Sequence, residues 1–201
     1  MTTVYTASPT STSHTEPSDI TEVYWSAITP GLFQNRPLYL AATGRGLCRI
    51  TWPNEAFDTL QSWVEKHIPG ALLIEDPSRM APYAEQLLEY LEGRRTAFTL
   101  PFDLRGTAFQ TSVWRALAQI PFGETRSYSD IAASIGSPAA TRAVGTANGA
   151  NPVPIVIPCH RVIGKNATLT GFRGGLNVKE QLLRLEGFHA YTATGHARFQ
   201  F

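Results

Sequence analysis

The hydrophobic pattern of this chain changes near residues 101–106, and this change limits the folds that the chain can adopt. Before this segment, short runs rich in Tyr, Trp, Ile and Leu are separated by Gly and Pro turns, and two further segments repeat apolar residues at helical spacing. After it, helical spacing dominates. We therefore predict an α/β chain of the α+β type. A small N-terminal α/β domain with a short sheet (21–100) precedes a mostly helical C-terminal domain (101–190).

The N-terminal pattern predicts four strands and two helices. The predicted strands span 22–29, 37–43, 46–52 and 71–74. The first helix follows an N-cap at Asn54, and the second ends at Gly93. Alternation along the third strand places Cys48, Ile50 and Trp52 on one face. We therefore expect Cys48 to be a buried small hydrophobic residue rather than a reactive thiol.

Composition excludes several classes of protein. A chain of 201 residues with 43% hydrophobic and 16% charged residues is typical of globular proteins, and it is long enough to fold without disulfides or a structural metal. No apolar run approaches the ~18 residues of a membrane-spanning helix. The two cysteines, Cys48 and Cys159, form neither a disulfide framework nor the paired spacing of a zinc site. We therefore predict a cytoplasmic protein with no metal site, no cofactor and no membrane partner.

Both ends of the chain are predicted to be tails. The first 20 residues include ten Ser or Thr, and no Lys or Arg precedes Arg36. A secretory signal requires a basic start and an apolar core, and a mitochondrial presequence requires Arg. We therefore expect residues 1–20 to be a disordered tail and residues 191–201 to be a short C-terminal tail.

Charge is distributed unevenly between the two halves of the chain. Residues 1–100 contain 7 basic and 11 acidic residues, whereas residues 101–201 contain 10 basic and 5 acidic ones. A polyanionic partner would therefore meet the second half. A chance distribution of charges explains the same numbers equally well.

The second half begins with a helix and then a pair of shorter helices. The first is predicted over Thr107–Leu117, with an N-cap at Thr107. The pair spans Ser127–Gly136 and, after Ser137-Pro138, Ala139–Gly149. Two short helices joined by a tight turn that contains Gly predict a helix-turn-helix unit, as in winged-helix-like proteins. Helical hairpins that bind nothing share this pattern.

The second helix of the pair has few side chains that could reach base edges. It reads Ala139-Ala140-Thr141-Arg142-Ala143-Val144-Gly145-Thr146-Ala147-Asn148. One explanation for so many small residues is tight packing against another helix. The other is that this smooth face lies in a DNA groove while Arg142 enters the base stack. Binding would then depend on phosphate contacts and show little sequence preference.

A candidate nucleophile follows in the segment 151–163. Its prolines and apolar residues form a stiff lead-in to Cys159 and His160. A neighbouring base or helix N-terminus lowers the pKa of a thiol and produces the nucleophilic thiolate. Neighbours in sequence need not touch, so the dipeptide alone also fits a cysteine without a catalytic role.

Together these residues resemble the O6-alkylguanine-DNA alkyltransferases, also called methylated-DNA–protein-cysteine methyltransferases. The active-site motif of that family resembles Pro158-Cys159-His160-Arg161-Val162, and the resemblance covers about residues 106–187. The other matching positions, in order and at the spacing of the family, are Phe109-Gln110, Val113-Trp114, Ile120-Pro121, Gly123, Ser127-Tyr128, Arg142-Ala143-Val144-Gly145, Asn151-Pro152, Gly171-Phe172, Gly174-Gly175, Lys179, Leu182-Leu183 and Glu186. Residues 21–100 resemble the variable N-terminal domain of the family only in outline.

The resemblance implies a DNA repair protein that flips O6-alkylguanine out of double-stranded DNA. The substrate would be mainly O6-methylguanine, with O4-methylthymine as a second one. Extrusion has to come first because a stacked base exposes no carbon to in-line attack. The alkyl group would then move irreversibly to Cys159, once per molecule. The protein would act as a monomer, and whether several molecules bind side by side on DNA is left open.

The resemblance also implies a role for each matching residue. His160 would act as a base through a water and would be oriented by Glu186, as in hydrolase triads. Tyr128 would press on the phosphate of the flipped nucleotide, and Asn151 would brace the turn before Cys159. The implied DNA-binding residues are Tyr128, Ser129, Ser137, Thr141, Arg142, Ala143, Gly145 and Lys165. The implied base pocket consists of Val162, Phe172, Arg173, Gly174 and Lys179.

Hydrogen bonds to the guanine follow from the same resemblance. The Tyr128 hydroxyl and the Arg173 backbone amide would donate to the leaving base, and the carbonyls of Cys159 and Val162 would accept from its exocyclic amine. Two positions depart from the family pattern. Phe172 replaces a frequent Tyr, and Ala167 lies in a turn where a hairpin favours Gly.

Three other functions compete with this interpretation. A non-enzymatic alkyltransferase-like protein would bind the lesion, but such proteins lack the cysteine found at Cys159. A methylation-responsive regulator would need a further DNA-binding domain, for which a 20-residue tail leaves no room. A Cys-His hydrolase would have no use for Arg142. A Cys159 sealed in the interior, without a cavity towards the smooth helix, would contradict the alkyltransferase interpretation.

Overall fold

A computed structural model of the chain describes residues 20–192. The predicted tail at 1–20, except for residue 20, and residues 193–201 lie outside the described residues. No helix within 20–192 combines the length and the apolar character needed to cross a membrane.

The N-terminal domain is built on a four-stranded mixed sheet. Its strands are β1 (Glu22–Ile28), β2 (Leu38–Thr43), β3 (Gly46–Ile50) and β4 (Leu72–Glu75). They are ordered β3-β2-β1-β4, with β1 antiparallel to β2 and parallel to β4. All four strands were predicted from apolar runs and turn residues, and each is confirmed to within two residues.

A β-bulge in β3 changes which residues share a face of the sheet. Arg49 pairs with Ala41, but Leu47 pairs with Ala42, so Cys48 is an extra residue on its strand. Because the bulge breaks the alternation, Cys48 packs on the opposite face from Ile50. The prediction that Cys48, Ile50 and Trp52 share a face is therefore wrong. The predicted burial of Cys48 is confirmed.

One helix packs on each face of this sheet. Helix α1 (Phe57–His67) covers the face that contains Cys48, and α2 (Pro77–Leu91) covers the other. Asn54 was predicted to cap α1, but the N-cap is Ala56, which makes no side-chain bond. The Asn54 amide instead donates to the carbonyl of Arg173 at 3.4 Å. The prediction is wrong because Asn54 lies in a turn closed by the Glu55 amide, which donates to the Trp52 carbonyl at 2.9 Å, and α1 begins only at Phe57.

The C-terminal half is mostly helical. Its elements are α3 (Ala108–Leu117), β5 (Arg126–Ser127), α4 (Tyr128–Ser134), α5 (Thr141–Gly149), β6 (Val162–Ile163) and α6 (Leu176–Leu185). Thr107 and Ser127 both form complete capping boxes, which fix the starts of α3 and α4. Helices α4 and α5 form the predicted helix-turn-helix. A 3-10 turn at Pro138–Ala140 delays α5 to Thr141, two residues after its predicted start.

The two halves of the chain share one hydrophobic core. It includes Leu40 and Leu87 from the N-terminal domain and Val144 and Ile157 from the C-terminal half. The segment that joins the halves also pairs with the edge of β3, where the Leu47 amide donates to the Pro101 carbonyl at 2.9 Å. The segment that leads to Cys159 is held against the same strand, because the Ile50 amide donates to the Pro152 carbonyl at 2.9 Å.

Candidate active site

Cys159 begins a short 3-10 turn, Cys159–Arg161, between α5 and β6. Its side chain is 3% exposed and lines a cavity with a free volume of about 10 Å³, roughly the space of one water molecule. Gly145, Asn148 and Gly149 of α5 line the same cavity. Cys159 is therefore buried but not sealed, and its cavity reaches the smooth helix.

Asn151 holds the backbone that leads to Cys159. Its Nδ2 donates to the Ile157 carbonyl at 2.8 Å, and its Oδ1 accepts from the Val153 amide at 3.0 Å. Between them, Ile155 has a φ of 73°, which is strained for a β-branched residue. The two side-chain bonds stabilise this turn, in agreement with the bracing contact expected of Asn151.

The environment of Cys159 does not favour a thiolate in the resting protein. Burial raises the pKa of the Cys159 thiol to about 11, although Asn151 and Lys179 act in the opposite direction. We expected the adjacent imidazole to lower this pKa. That expectation is wrong because the desolvation of the thiol exceeds the stabilisation that its neighbours provide.

The His160 ring is bound to Glu186 and is fully buried. Its Nε2 lies 2.6 Å from Glu186 Oε1, whereas its Nδ1 has no hydrogen-bond partner among residues 20–192. Burial lowers the pKa of His160 despite the opposing effect of Glu186. The ring is therefore neutral at pH 7, donates from Nε2 to the carboxylate, and keeps Nδ1 free to accept a proton.

Glu186 also binds two residues that the sequence interpretation did not assign to the site. Arg161 donates through Nε to Oε2 at 2.9 Å and through Nη2 to Oε1 at 3.0 Å. Tyr90 of α2 donates its hydroxyl to Oε1 and also lies 3.4 Å from His160 Nε2. Burial acts to raise the pKa of Glu186, but the bonds from His160 and Arg161 outweigh it and lower the pKa to about 2.

Tyr128 forms part of the wall of the cavity that Cys159 lines. It is the first residue of α4, and its hydroxyl accepts from Thr170 Oγ1 at 3.1 Å. Burial raises the pKa of this hydroxyl, so it stays protonated and can donate. Tyr128, Gly145 and Gly171 also line a second, larger cavity of about 180 Å³ on the α5 side.

The predicted DNA-binding residues lie along α4, α5 and the turns beside them. Arg142 and Ala143 are exposed on α5, and Gly145 is half-buried. Three of the other predicted DNA-binding residues are half-buried, namely Ser129, Ser137 and Thr141, and Lys165 is exposed. Val144 and Ala147 on the opposite side of α5 are buried in the core. The small residues of α5 therefore lie on two faces of the helix. One face packs in the core, and the other, which we call the open face, is accessible to solvent.

Two of the five predicted pocket residues line the cavity, and the other three lie behind them. Phe172 and Arg173 line the cavity itself. Lys179 is fully buried, donates to the Val162 carbonyl at 2.6 Å and lies 5.3 Å from the centre of the Phe172 ring. Burial lowers the pKa of Lys179 to about 8. Gly174 packs against the ring of Trp52, outside the set of residues that line the cavity.

The turn after β6 adopts the conformation that the sequence left undecided. Ala167 has a φ of 55°, in the left-handed region where Gly is favoured, and its amide donates to the Gly164 carbonyl at 2.9 Å. A Cβ on Gly164 would lie 2.3 Å from Thr168 Oγ1. The turn therefore depends on glycine at 164 and tolerates alanine at 167.

The sequence interpretation did not assign several residues of the cavity and of the Glu186 network. They include Trp52, Tyr90, Asn148, Gly149 and Arg161. Tyr90 repeats at helical spacing with Leu87, and a hydroxyl on such an apolar face was the signal for a buried partner. Asn148 is buried in α5, where its Nδ2 donates to the Cys159 carbonyl at 3.4 Å and its Oδ1 has no partner within residues 20–192.

Within the same residues, no group of three or more His, Cys, Asp and Glu could hold a metal ion.

Known proteins share both the sequence and the fold of this chain. The family model for the "6-O-methylguanine DNA methyltransferase, ribonuclease-like domain" matches residues 36–104, and that for the "DNA binding domain" of the same family matches residues 108–188. The inducible methylated-DNA–protein-cysteine methyltransferase of Bacillus subtilis is 51% identical over 164 residues, which is 82% of this chain and 90% of that protein. The methylated-DNA–protein-cysteine methyltransferase of Mycobacterium tuberculosis is 55% identical over 151 residues, 75% of this chain and 86% of that protein.

A solved structure extends this agreement to three dimensions. The crystal structure of the Mycobacterium tuberculosis protein OGT in complex with DNA superimposes with a TM-score of 0.70 at 42% identity, and covers 81% of this chain and 92% of that one. The two family models together account for most of residues 36–188. This chain therefore belongs to the O6-methylguanine DNA methyltransferase family.

Proposed function

We propose that this protein binds DNA and repairs O6-methylguanine by transferring the methyl group to its own Cys159. The observation that carries this proposal is the position of Cys159. Its thiol lines a cavity that reaches the open face of α5 on one side, and the next residue, His160, is a neutral base bound to Glu186. A nucleophile, a base and an orienting carboxylate thus lie beside a DNA-binding helix.

The lesion enters the site as a flipped nucleotide. The free volume beside Cys159, about 10 Å³, is far smaller than a guanine, so the pocket has to widen towards the cavity of about 180 Å³ that Tyr128 and Gly171 share with it. Tyr128 presses on the phosphate of the extruded nucleotide, and Arg142, which is exposed on α5, fills the vacated stack. The small side chains of Ala143 and Gly145 let the helix backbone approach the groove closely.

The transfer reaction starts from a protonated thiol. The Cys159 proton passes through a water to His160 Nδ1, and Glu186 stabilises the resulting imidazolium. The Sγ–C bond then forms as the C–O6 bond breaks, and the electron pair of the broken bond stays on the guanine. The Tyr128 hydroxyl and the Arg173 amide donate to this anionic leaving group, as in an oxyanion hole.

The carbonyls near Cys159 orient the base. Val162 O already accepts from Lys179, which leaves a second lone pair for the exocyclic amine of guanine. Cys159 O accepts from Asn148 in the same way. The amide of Asn148 therefore forms part of the base pocket, beside the residues that the sequence predicted.

The product is a thioether, and no residue in the proposed mechanism removes it. Each molecule therefore acts once. It acts as a monomer, and its substrate is double-stranded DNA that contains an O6-alkylguanine. Phosphate contacts from the open face of α5 and from Lys165 make binding strongly dependent on salt and weakly dependent on sequence. O4-methylthymine is a second, poorer substrate of the same pocket.

Intact-protein mass spectrometry tests this function directly. After incubation with a duplex that contains O6-methylguanine, the protein should gain one methyl group, and peptide mapping should place it on Cys159. Cys159→Ala should abolish the transfer and retain DNA binding. Cys48→Ala is the matched control and should leave transfer unchanged because that thiol is buried on the far face of the sheet.

Two results would contradict the proposal. Binding to the lesion without methyl transfer would favour the alkyltransferase-like alternative. More than one equivalent of repaired guanine per protein molecule would rule out single use.

A further inference from the structure

We propose that Trp52, in the loop between β3 and α1, determines the size of the alkyl group that Cys159 can accept. This inference rests on the proposed function and extends it to the N-terminal domain. Family resemblance assigned the pocket to C-terminal residues alone, but the indole of Trp52 lines the same cavity as Cys159. Trp52 is 2% exposed, so protein atoms surround the whole ring.

The indole packs directly against the wall formed by residues 172–174. Its ring centre lies 4.9 Å from that of Phe172 in an edge-to-face arrangement. A Cβ on Gly174 would lie 2.7 Å from the Trp52 ring, which is closer than real Cβ contacts allow. Glycine at 174 and tryptophan at 52 are therefore fitted to each other, and the wall cannot move towards the N-terminal domain.

Glu55 fixes the loop and the wall to each other. Its Oε2 accepts from the Trp52 amide at 2.9 Å, and its Oε1 accepts from Arg173 Nε at 2.7 Å. Buried Arg49 also donates to Oε2, at 3.2 Å. One carboxylate thus holds the backbone of Trp52 and the side chain of Arg173, and Asn54 adds its bond to the Arg173 carbonyl. Because of these bonds, the indole and the wall are held as one rigid unit.

The consequence is a limit on the substrate. Any group transferred to Cys159 has to fit in the cavity that Trp52 and Phe172 enclose. The opposite side can widen through Tyr128 and Gly171, which border the larger cavity, but the side of Trp52 is held by Glu55. The flipped guanine fills the side that widens, so the transferred group is left with the side of Trp52. A methyl group needs little space there, whereas a benzyl group would have to displace the indole.

The rate ratio for two substrates tests this inference. Duplexes that contain O6-methylguanine or O6-benzylguanine are mixed with the full chain, and alkylation of Cys159 is followed by mass spectrometry. Discrimination of about 10- to 200-fold per methylene is typical of apolar pockets, so Trp52→Phe should raise the benzyl-to-methyl rate ratio about tenfold or more. Trp25→Phe is the matched control, because Trp25 packs on the opposite face of the sheet, and it should leave the ratio unchanged.

Two further variants extend the test. Gly174→Ala should lower the benzyl-to-methyl ratio, and adding Trp52→Phe to it should raise the ratio again. If Trp52→Phe does not fold, Arg173→Gln provides the same readout. This variant removes the pair with Glu55, leaves the bond from Arg49 in place, and should also raise the ratio.

The outcomes separate the two proposals. An unchanged ratio in Trp52→Phe, or an equal slowing of both substrates, would show that Trp52 has only a structural role and would overturn this inference. If the unaltered protein transfers a methyl group to Cys159 but Trp52→Phe does not change the benzyl-to-methyl rate ratio, only this inference fails. If the unaltered protein transfers neither group, the proposed function fails.

Discussion

Tyr90 and Glu186 join the two halves of the chain inside the candidate active site. The Tyr90 hydroxyl, on α2 of the N-terminal domain, donates to the carboxylate that also binds His160. Both residues are buried, and the Tyr90 ring packs between Phe98 and Phe122. The N-terminal domain thus contacts the base–carboxylate pair directly, and the orientation of His160 depends on how the two halves dock.

Replacing Tyr90 by Phe should weaken both stability and transfer. The ring contacts would remain, but Glu186 would lose one of its donors. Hydrogen bonds to charged groups contribute about 1.5–3 kcal/mol, so we expect a loss of that size in the free energy of unfolding measured in urea, together with slower alkylation of Cys159. Tyr83→Phe is the control, since Tyr83 lies on the same helix, half-buried, and makes no hydroxyl bond within residues 20–192. Equal effects of the two substitutions would argue against a role for the Tyr90 hydroxyl.

Glu186→Gln should lower the free energy of unfolding more than the same substitution of a surface carboxylate does. Arg161 is buried and would lose the carboxylate that its Nε and Nη2 contact, which costs about 3–5 kcal/mol in comparable cases. Glu180→Gln, on α6, is the matched control. Glu180 is half-buried and its partner Arg184 is largely exposed, so their pair should contribute about 0–1 kcal/mol to the free energy of unfolding. Similar losses for the two variants would contradict the role of Glu186 as the centre of a buried network.

The acid stability of the protein should reflect the same carboxylate. The pKa of Glu186 is about 2 in the folded protein and has an ordinary value of 4.5. A carboxylate whose pKa is lower in the folded state than in the unfolded state stabilises the fold at pH values above the unfolded-state pKa. This stabilisation is lost as the pH falls towards the folded-state pKa. Urea unfolding between pH 6 and pH 2 should therefore show stability falling from about pH 4.5 downwards. In Glu186→Gln this part of the pH dependence should disappear, and an unchanged profile would show that other groups cause it.

Local patterns in the sequence predicted the elements of this fold well. Strands and helices followed from alternation, helical spacing and caps, as at Thr107, whose capping box is present. The bulge at Cys48 was not predictable because it depends on how β2 and β3 pair rather than on the residues of one strand. Asn54 was wrongly predicted as a cap because the chain forms one more turn, closed by the bond from the Glu55 amide to the Trp52 carbonyl, before α1 begins.

In the candidate site too, local sequence patterns predicted some features, whereas features that depend on tertiary packing were missed. Cys159, His160 and Glu186 were assigned through a motif. In the structure His160 binds Glu186, and Cys159 precedes His160 in the same 3-10 turn. Trp52 and Tyr90 come from the N-terminal domain, and no local pattern indicates which surface of that domain meets the C-terminal half. The pKa of Cys159 was also misjudged, since burial is a property of the packed structure and not of the neighbouring residue in sequence.

The resting thiol should react slowly with a small alkylating agent. With a pKa of about 11, the fraction of Cys159 present as thiolate rises about tenfold per pH unit through neutral and mildly alkaline pH. Labelling by iodoacetamide, followed by mass spectrometry, should therefore increase steadily from pH 7 to pH 10 without a plateau. Cys159→Ser controls for the other thiol, Cys48, which is buried and has a pKa of about 12. A plateau between pH 7 and pH 8 would indicate a thiolate that the imidazole already stabilises.

Arg142→Ala should slow repair in duplex DNA far more than reaction with the free alkylated base. Arg142 is exposed on α5 and lines the larger cavity of about 180 Å³, but not the smaller cavity that Cys159 lines, so we expect it to act on the duplex rather than on the thiol. Extrusion of a base costs a few kcal/mol, and each 1.4 kcal/mol of lost stabilisation slows the reaction about tenfold. Rates with a duplex that contains O6-methylguanine and with free O6-methylguanine distinguish the two steps. Arg115→Ala, an exposed charge on α3, should leave both rates unchanged. If Arg142→Ala slows both reactions equally, Arg142 acts on the chemistry or the fold, and the base-flipping role has to be abandoned.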